Sequence, residues 1–154
     1  IDKKKLDACK IIVFSPGPGD PSHYPETQKI YHQYKGVKKI IGICLGFQQI
    51  LYAEKGQIIA QKRIFHGYQS RIKVLNGSSL FKPNKILLGG RYHSLKLKEP
   101  FYNKNLKITM RCAETNVAMA IEDTINNVYG FQFHPDSFLT VDGKFLIQKI
   151  LQAK

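Results

Sequence analysis

Ile40-Ile41-Gly42-Ile43-Cys44-Leu45-Gly46-Phe47-Gln48-Gln49 decides the fold, because an apolar run too short for a helix passes directly into apolar residues at helical spacing. Lys39 to Ile43 reads as a buried strand, and Phe47, Ile50 and Leu51 mark one face of a helix from Phe47 to Glu54. Cys44 therefore falls at a strand-to-helix turn. The first N–H groups of a helix lack intrahelical partners, and the partial positive charge there favours a thiolate. Gly42 and Gly46 let the backbone bend and let a ligand approach. A cysteine between Ile43 and Leu45 is equally an ordinary core filler, since free Cys is among the most buried residue types, so the rest of the chain has to separate the two readings.

Outward from this turn, strand-like and helix-like segments alternate. Lys10 to Ser15 is a β-branched apolar run closed by Pro16-Gly17-Pro18-Gly19-Asp20-Pro21, a loop because Pro and Gly stop both regular structures. Glu26 to Tyr34 has helical character. Short strand-like runs follow at Gln57 to Ala60, Ser70 to Leu75, Ile86 to Leu88, Ile108 to Arg111, Val117 to Ile121 and Val128 to Phe133, and a last helix runs from Gly143 to about Lys154. The expected fold is α/β: an open, mostly parallel sheet flanked by helices, with a small antiparallel β elaboration, in one domain over residues 1–154.

Composition excludes several classes. The chain has 154 residues and 43% hydrophobic content, enough for one core and too little for two ordinary domains. Cys9, Cys44 and Cys112 are odd in number and widely spaced, which fits a reducing compartment and neither a disulfide framework nor a zinc site. No apolar stretch reaches the roughly 18 residues of a membrane span, so a soluble, cytoplasmic protein without a membrane partner is expected. The net charge of +13 is spread over scattered lysines, with short runs only at Lys3-Lys4-Lys5 and Lys38-Lys39. Charge alone speaks to solubility, and no nucleic-acid partner is expected.

Two further motifs carry chemistry. The Pro16–Pro21 loop follows a buried strand, at the place where open α/β sheets put their ligand crevice, and its outward N–H groups suit an oxyanion or a carboxylate. Tyr129-Gly130-Phe131-Gln132-Phe133-His134-Pro135-Asp136-Ser137 ends an apolar strand in a histidine held extended by the following proline, with a carboxylate two positions on. Cys44, His134 and Asp136 make a thiol, imidazole and carboxylate set suited to acyl transfer.

Together with His66-Gly67 and Arg91-Tyr92-His93-Ser94-Leu95, these segments resemble, in order and spacing, the motif series of class I (triad) glutamine amidotransferases. Within that class the Arg-Tyr-His-Ser-Leu segment is most similar to the glutaminase subunits of anthranilate synthase and aminodeoxychorismate synthase. The resemblance implies a flavodoxin-like core and no cofactor or metal. It implies that Cys44 attacks the side-chain amide of L-glutamine to give a thioester, that His134 moves the proton and that Asp136 orients His134. The N–H groups of Gly19 and Leu45 would form the oxyanion hole, while Gly17, Pro18, Gly19, Gln48, Ser94 and Leu95 would hold the substrate. Ammonia would pass to a chorismate-using synthase subunit, for tryptophan or folate precursors.

Two departures from the family pattern bear on this. Asp136 stands where the family has glutamate, one methylene longer, so a weakened enzyme, or a catalytically impaired structural or regulatory subunit, is the alternative expectation. The family's opening strand-helix-strand unit, roughly 40 residues, precedes the segment that Ile1 to Ser15 matches, and the chain is expected to lack it. Remaining residues read as structural: His93 as a support of its segment, His23, His32 and His66 without metal-ligand spacing, Cys9 and Cys112 as core or half-buried thiols, and Tyr24, Tyr31 and Tyr34 as one packed helical face.

Overall fold

The computed structural model describes residues 2–153, so the Lys154 end expected for the last helix lies outside the described residues. In chain order the elements are α1 (Lys3–Ala8), β1 (Ile11–Phe14), a 3-10 turn (Pro21–His23), α2 (Pro25–Tyr34), β2 (Lys39–Ile43), α3 (Leu45–Ala53), β3 (Ile58–Ala60), β4 (Tyr68–Val74), β5 (Ile86–Arg91), β6 (Leu95–Leu97), β7 (Lys107–Cys112), β8 (Ala118–Asp123), β9 (Val128–Phe131) and α4 (Gly143–Gln152).

Among the described residues, seven strands form one sheet in the order β1-β2-β9-β8-β7-β4-β5, and β3 pairs with β6 apart from it. Parallel pairing joins β1 to β2 and β2 to β9. All other pairs of the large sheet are antiparallel. The α/β architecture with flanking helices is as expected, but the parallel part of the sheet is confined to β1, β2 and β9, and the antiparallel part is larger than the small elaboration expected. Short connections join the antiparallel pairs β7 and β8, and β8 and β9, whereas the parallel pair β1 and β2 is joined by the crossover through α2.

Helices cover both faces. On one, Ile30, Tyr31 and Tyr34 of α2 and Phe47, Ile50 and Leu51 of α3 bury against Ile12, Phe14, Ile40 and Ile121. On the other, Leu146 and Ile150 of α4 pack with Ile41, Ile43, Met110, Phe131 and Phe133. The buried Lys39 ammonium donates to the carbonyls of Ile150 (2.7 Å), Leu151 (3.1 Å) and Ala153 (2.7 Å), capping the C-terminus of α4 where a cation is favoured. Tyr31 and Tyr34 pack as expected; Tyr24 instead precedes α2 and donates to the Pro18 carbonyl at 2.7 Å.

Two elements carry no signal in the sequence reading. Helix α1 buries none of its residues and is held by Asp2, whose carboxylate accepts from the N–H groups of Lys4 and Lys5. Cys9, half-buried, caps the C-terminus of this helix. β6 is three residues long and, among the described residues, pairs only with β3.

Register positions the chemistry. Phe14 lies beside Gly42, and Ile43 lies beside Phe131, so β1, β2 and β9 end at the same level of the sheet. Their carboxyl ends lead into the Pro16–Pro21 loop, Cys44 and the His134 segment respectively, the crevice position of an open α/β sheet.

Candidate active site

Cys44 occupies the one-residue turn between β2 and α3 with φ 54° and ψ −103°. A side chain at positive φ strains the backbone, and the surroundings hold it there. Its N–H donates to Phe131 O at 2.8 Å and its carbonyl accepts from Gln48 N–H at 3.2 Å. A Cβ on Gly42 would lie 2.5 Å from Gly46 O, and one on Gly46 would overlap the Phe14 carbonyl outright. The glycines flanking Cys44 are thus required by close backbone approach.

Cys44 is 7% exposed. Burial pushes its thiol up to about 11, against the Leu45 N–H, which lowers it; the Asp136 carboxylate pushes in the same direction as burial. The expected bias of the helix N-terminus toward thiolate is present, and desolvation outweighs it.

A cavity of about 170 Å³ opens beside Cys44, lined by Gly17, Pro18, Gly19, Leu45, Gln48, Tyr92, His93, Ser94 and Leu95 as well as the thiol. The structure therefore brings together every residue expected to bind substrate or to supply the oxyanion hole. Gly19 has φ +84°, and a Cβ on Gly17 would lie 3.1 Å from Leu45 Cδ2. Asp20 caps the following 3-10 turn through Ser22 N–H at 2.9 Å, which fixes the loop's far end.

His134 and Asp136 do not line this cavity. Tyr92 does, and its ring stands edge-on to His134 with centroids 5.0 Å apart. His134 is held by its N–H to Gly90 O at 2.9 Å, while its ring Nε2 is buried and has no hydrogen-bond partner among the described residues. Its Nδ1 is 3.5 Å from Asp136 Oδ1, beyond the usual N–H···O range, and the Asp136 side chain is 70% exposed. Free enzymes often hold such catalytic contacts long and tighten them with substrate.

Sequence reasoning assigns His93 a supporting role and passes over Arg91 and Gln132. Arg91 is fully buried and has no carboxylate partner among the described residues: its Nε donates to His93 Nε2 at 3.0 Å, and its guanidinium lies 3.5 Å from the Phe65 ring centroid. With Nε2 accepting, the proton of neutral His93 sits on Nδ1 and donates to Leu95 O at 2.8 Å. Burial lowers His93 to about 4; the Leu95 bond opposes this and the Arg91 charge adds to it. The segment carrying Ser94 and Leu95 thus rests on a neutral imidazole. Gln132 is 0% exposed, between buried Phe131 and Phe133; an amide inside an apolar strand end is the signal that could have found it.

Among the described residues, no group of three or more His, Cys, Asp or Glu could hold a metal ion, and no helix is long and apolar enough to cross a membrane.

A strained cysteine at the carboxyl end of a parallel strand, facing a glycine-rich loop and a polar cleft, defines an α/β protein of the cysteine-elbow type. The chain belongs to the class-I glutamine amidotransferase family, whose pattern residues 1–153 match. It is 35% identical over 150 residues to an anthranilate synthase component 2 from Lactococcus lactis, covering 96% of this chain and 74% of that one. A protein of the same description from Pyropia yezoensis is 38% identical over 152 residues, with 97% and 78% covered. Among solved structures, a glutamine amidotransferase from Thermotoga maritima superimposes with a TM-score of 0.69 at 19% identity, covering 84% of this chain and 57% of that one, a likeness of fold.

Proposed function

We propose that the chain, as one domain over residues 1–154, is the glutaminase subunit of a chorismate-using synthase, hydrolysing L-glutamine and passing the ammonia to the synthase subunit. The observation that carries this reading is the cavity at Cys44, where Gly17, Pro18, Gly19, Leu45, Gln48, Ser94 and Leu95 converge on one thiol. Cys44 Sγ attacks the amide carbon of glutamine as His134 takes the thiol proton. The oxyanion is held by the N–H groups of Gly19 and Leu45. His134 then protonates the departing ammonia, leaving a thioester, and water activated by His134 releases glutamate and restores the thiol. Asp136 orients the imidazole through Nδ1.

The component 2 relatives support an anthranilate-forming partner, and three free cysteines, Cys9, Cys44 and Cys112, support a reducing cytoplasm. A second reading, an amidotransferase-like subunit with impaired catalysis, is favoured by the 3.5 Å contact and exposure of Asp136. Glutamate release from glutamine, measured with and without a chorismate-using synthase subunit, separates the two. Turnover that rises with the partner and disappears in Cys44→Ser supports the first. Partner binding without turnover supports the second.

A further inference from the structure

Gln132 links the thiol to the cleft through two amides whose orientation is dictated by one backbone carbonyl. Gln48 presents Nε2 to Leu95 O at 3.3 Å, and only an N–H can face a carbonyl there. The same Nε2 donates to Gln132 Oε1 at 2.9 Å. With Oε1 turned to Gln48, Gln132 has its own Nε2 aimed at Cys44 Sγ, 4.0 Å away. Flipping Gln48 would set its oxygen against Leu95 O and Gln132 Oε1, and flipping Gln132 would set its NH2 against that of Gln48. Leu95 O is itself held by His93 Nδ1–H at 2.8 Å, so the chain runs from His93 through Leu95, Gln48 and Gln132 to the thiol.

We propose that Gln132 is a positioning residue for the amidotransferase reaction, donating an N–H to Cys44 Sγ as the thiolate forms and fixing the Gln48 amide so that its Oε1 is the end left for substrate. Among the described residues, Gln48 Oε1 takes part in no hydrogen bond to the framework, while both Nε2 hydrogens are committed. The acceptor that Gln48 offers suits a donor group of the bound amino acid, its α-ammonium. A donor at Sγ matters here because burial pushes this thiol up to about 11, and a hydrogen bond to the charged form opposes that.

This inference rests on the glutaminase reading for its substrate, but its test does not need turnover. The readout is the pH profile of Cys44 alkylation by iodoacetamide, followed by the mass of the Cys44 peptide in wild type, Gln132→Met, Gln48→Met and the double variant. Gln132→Met should move the half-point upward by about one pH unit, a tenfold loss of thiolate at a given pH. Gln48→Met, which frees the Gln132 amide without touching Sγ, should move it the same way by less. The double variant should shift no further than Gln132→Met alone, the non-additivity of a shared network. A Gln132→Met profile superimposed on wild type, or shifts that add, would overturn the proposal. Should circular dichroism show Gln132→Met unfolded, Gln48→Met decides alone, its shift supporting the proposal and an unmoved profile overturning it. A protein that shifts as stated but releases no glutamate would sink the glutaminase reading and leave the thiol donor standing.

Discussion

The turn at Cys44 and the segment from His134 to Asp136 end neighbouring parallel strands, yet they are built to different tolerances. At the turn, positive φ, a 7% exposed cysteine and two glycines with no room for a methyl group leave the backbone one conformation. At the other strand end, a buried imidazole nitrogen lacks a partner among the described residues and the carboxylate beside the ring is distant and exposed. Steric exclusion fixes the first region, and a few directional contacts hold the second. The proposed nucleophile is therefore set by the fold, whereas the proposed base is left adjustable.

The contrast is broken most severely at Gly46. Gly46→Ala places a methyl group against the Phe14 carbonyl and should cost at least about 3 kcal/mol, read as a lower denaturation midpoint or loss of folded protein. If Gly46→Ala keeps wild-type stability, the elbow is not sterically fixed.

The next effect sharpens the comparison through His93, the support beneath Ser94 and Leu95. Its native value near 4 lies below the unfolded value of about 6.5. The unfolded chain thus binds the extra proton first, and stability present above pH 6.5 falls as pH drops through 4, by about 3 kcal/mol at most. His93→Gln removes this titration, so its stability should vary less with pH over that window than wild type. Parallel curves from urea unfolding at several pH values would contradict it.

The smallest effect lies at the loose end. Asp136→Glu adds the methylene that brings the carboxylate toward His134 Nδ1, and glutamate release should rise about threefold, under 1 kcal/mol in barrier, with little change in stability. A loss of turnover would mean that the site is adapted to aspartate.

How much of this is legible in the sequence differs along the same line. The elbow is readable because Lys39–Ile43 is uniformly apolar apart from its first residue and the glycines flank the cysteine; the strand bounds coincide with the structure. Pairing direction is less readable: β7 and β8 look like any short apolar runs, and only the turns joining them make them antiparallel. Helix α1 is invisible, since Lys3-Lys4-Lys5-Leu6-Asp7-Ala8 has no apolar stripe and depends on the Asp2 cap. Thiolate character is overestimated from sequence because helix-terminal charge is local to the chain, whereas the desolvation that outweighs it comes from residues far away along it. For the same reason the buried Arg91 and Gln132 are understood only once Phe65, His93, Gln48 and Cys44 surround them.

The most direct measurement is the mass of the Cys44 peptide after rapid acid quench of the protein, in complex with a chorismate-using synthase subunit, during turnover with L-glutamine. A glutamyl adduct on Cys44, absent from Cys44→Ser together with glutamate release, is the predicted result; glutamate release that persists in Cys44→Ser, or an adduct carried by another residue, would contradict it.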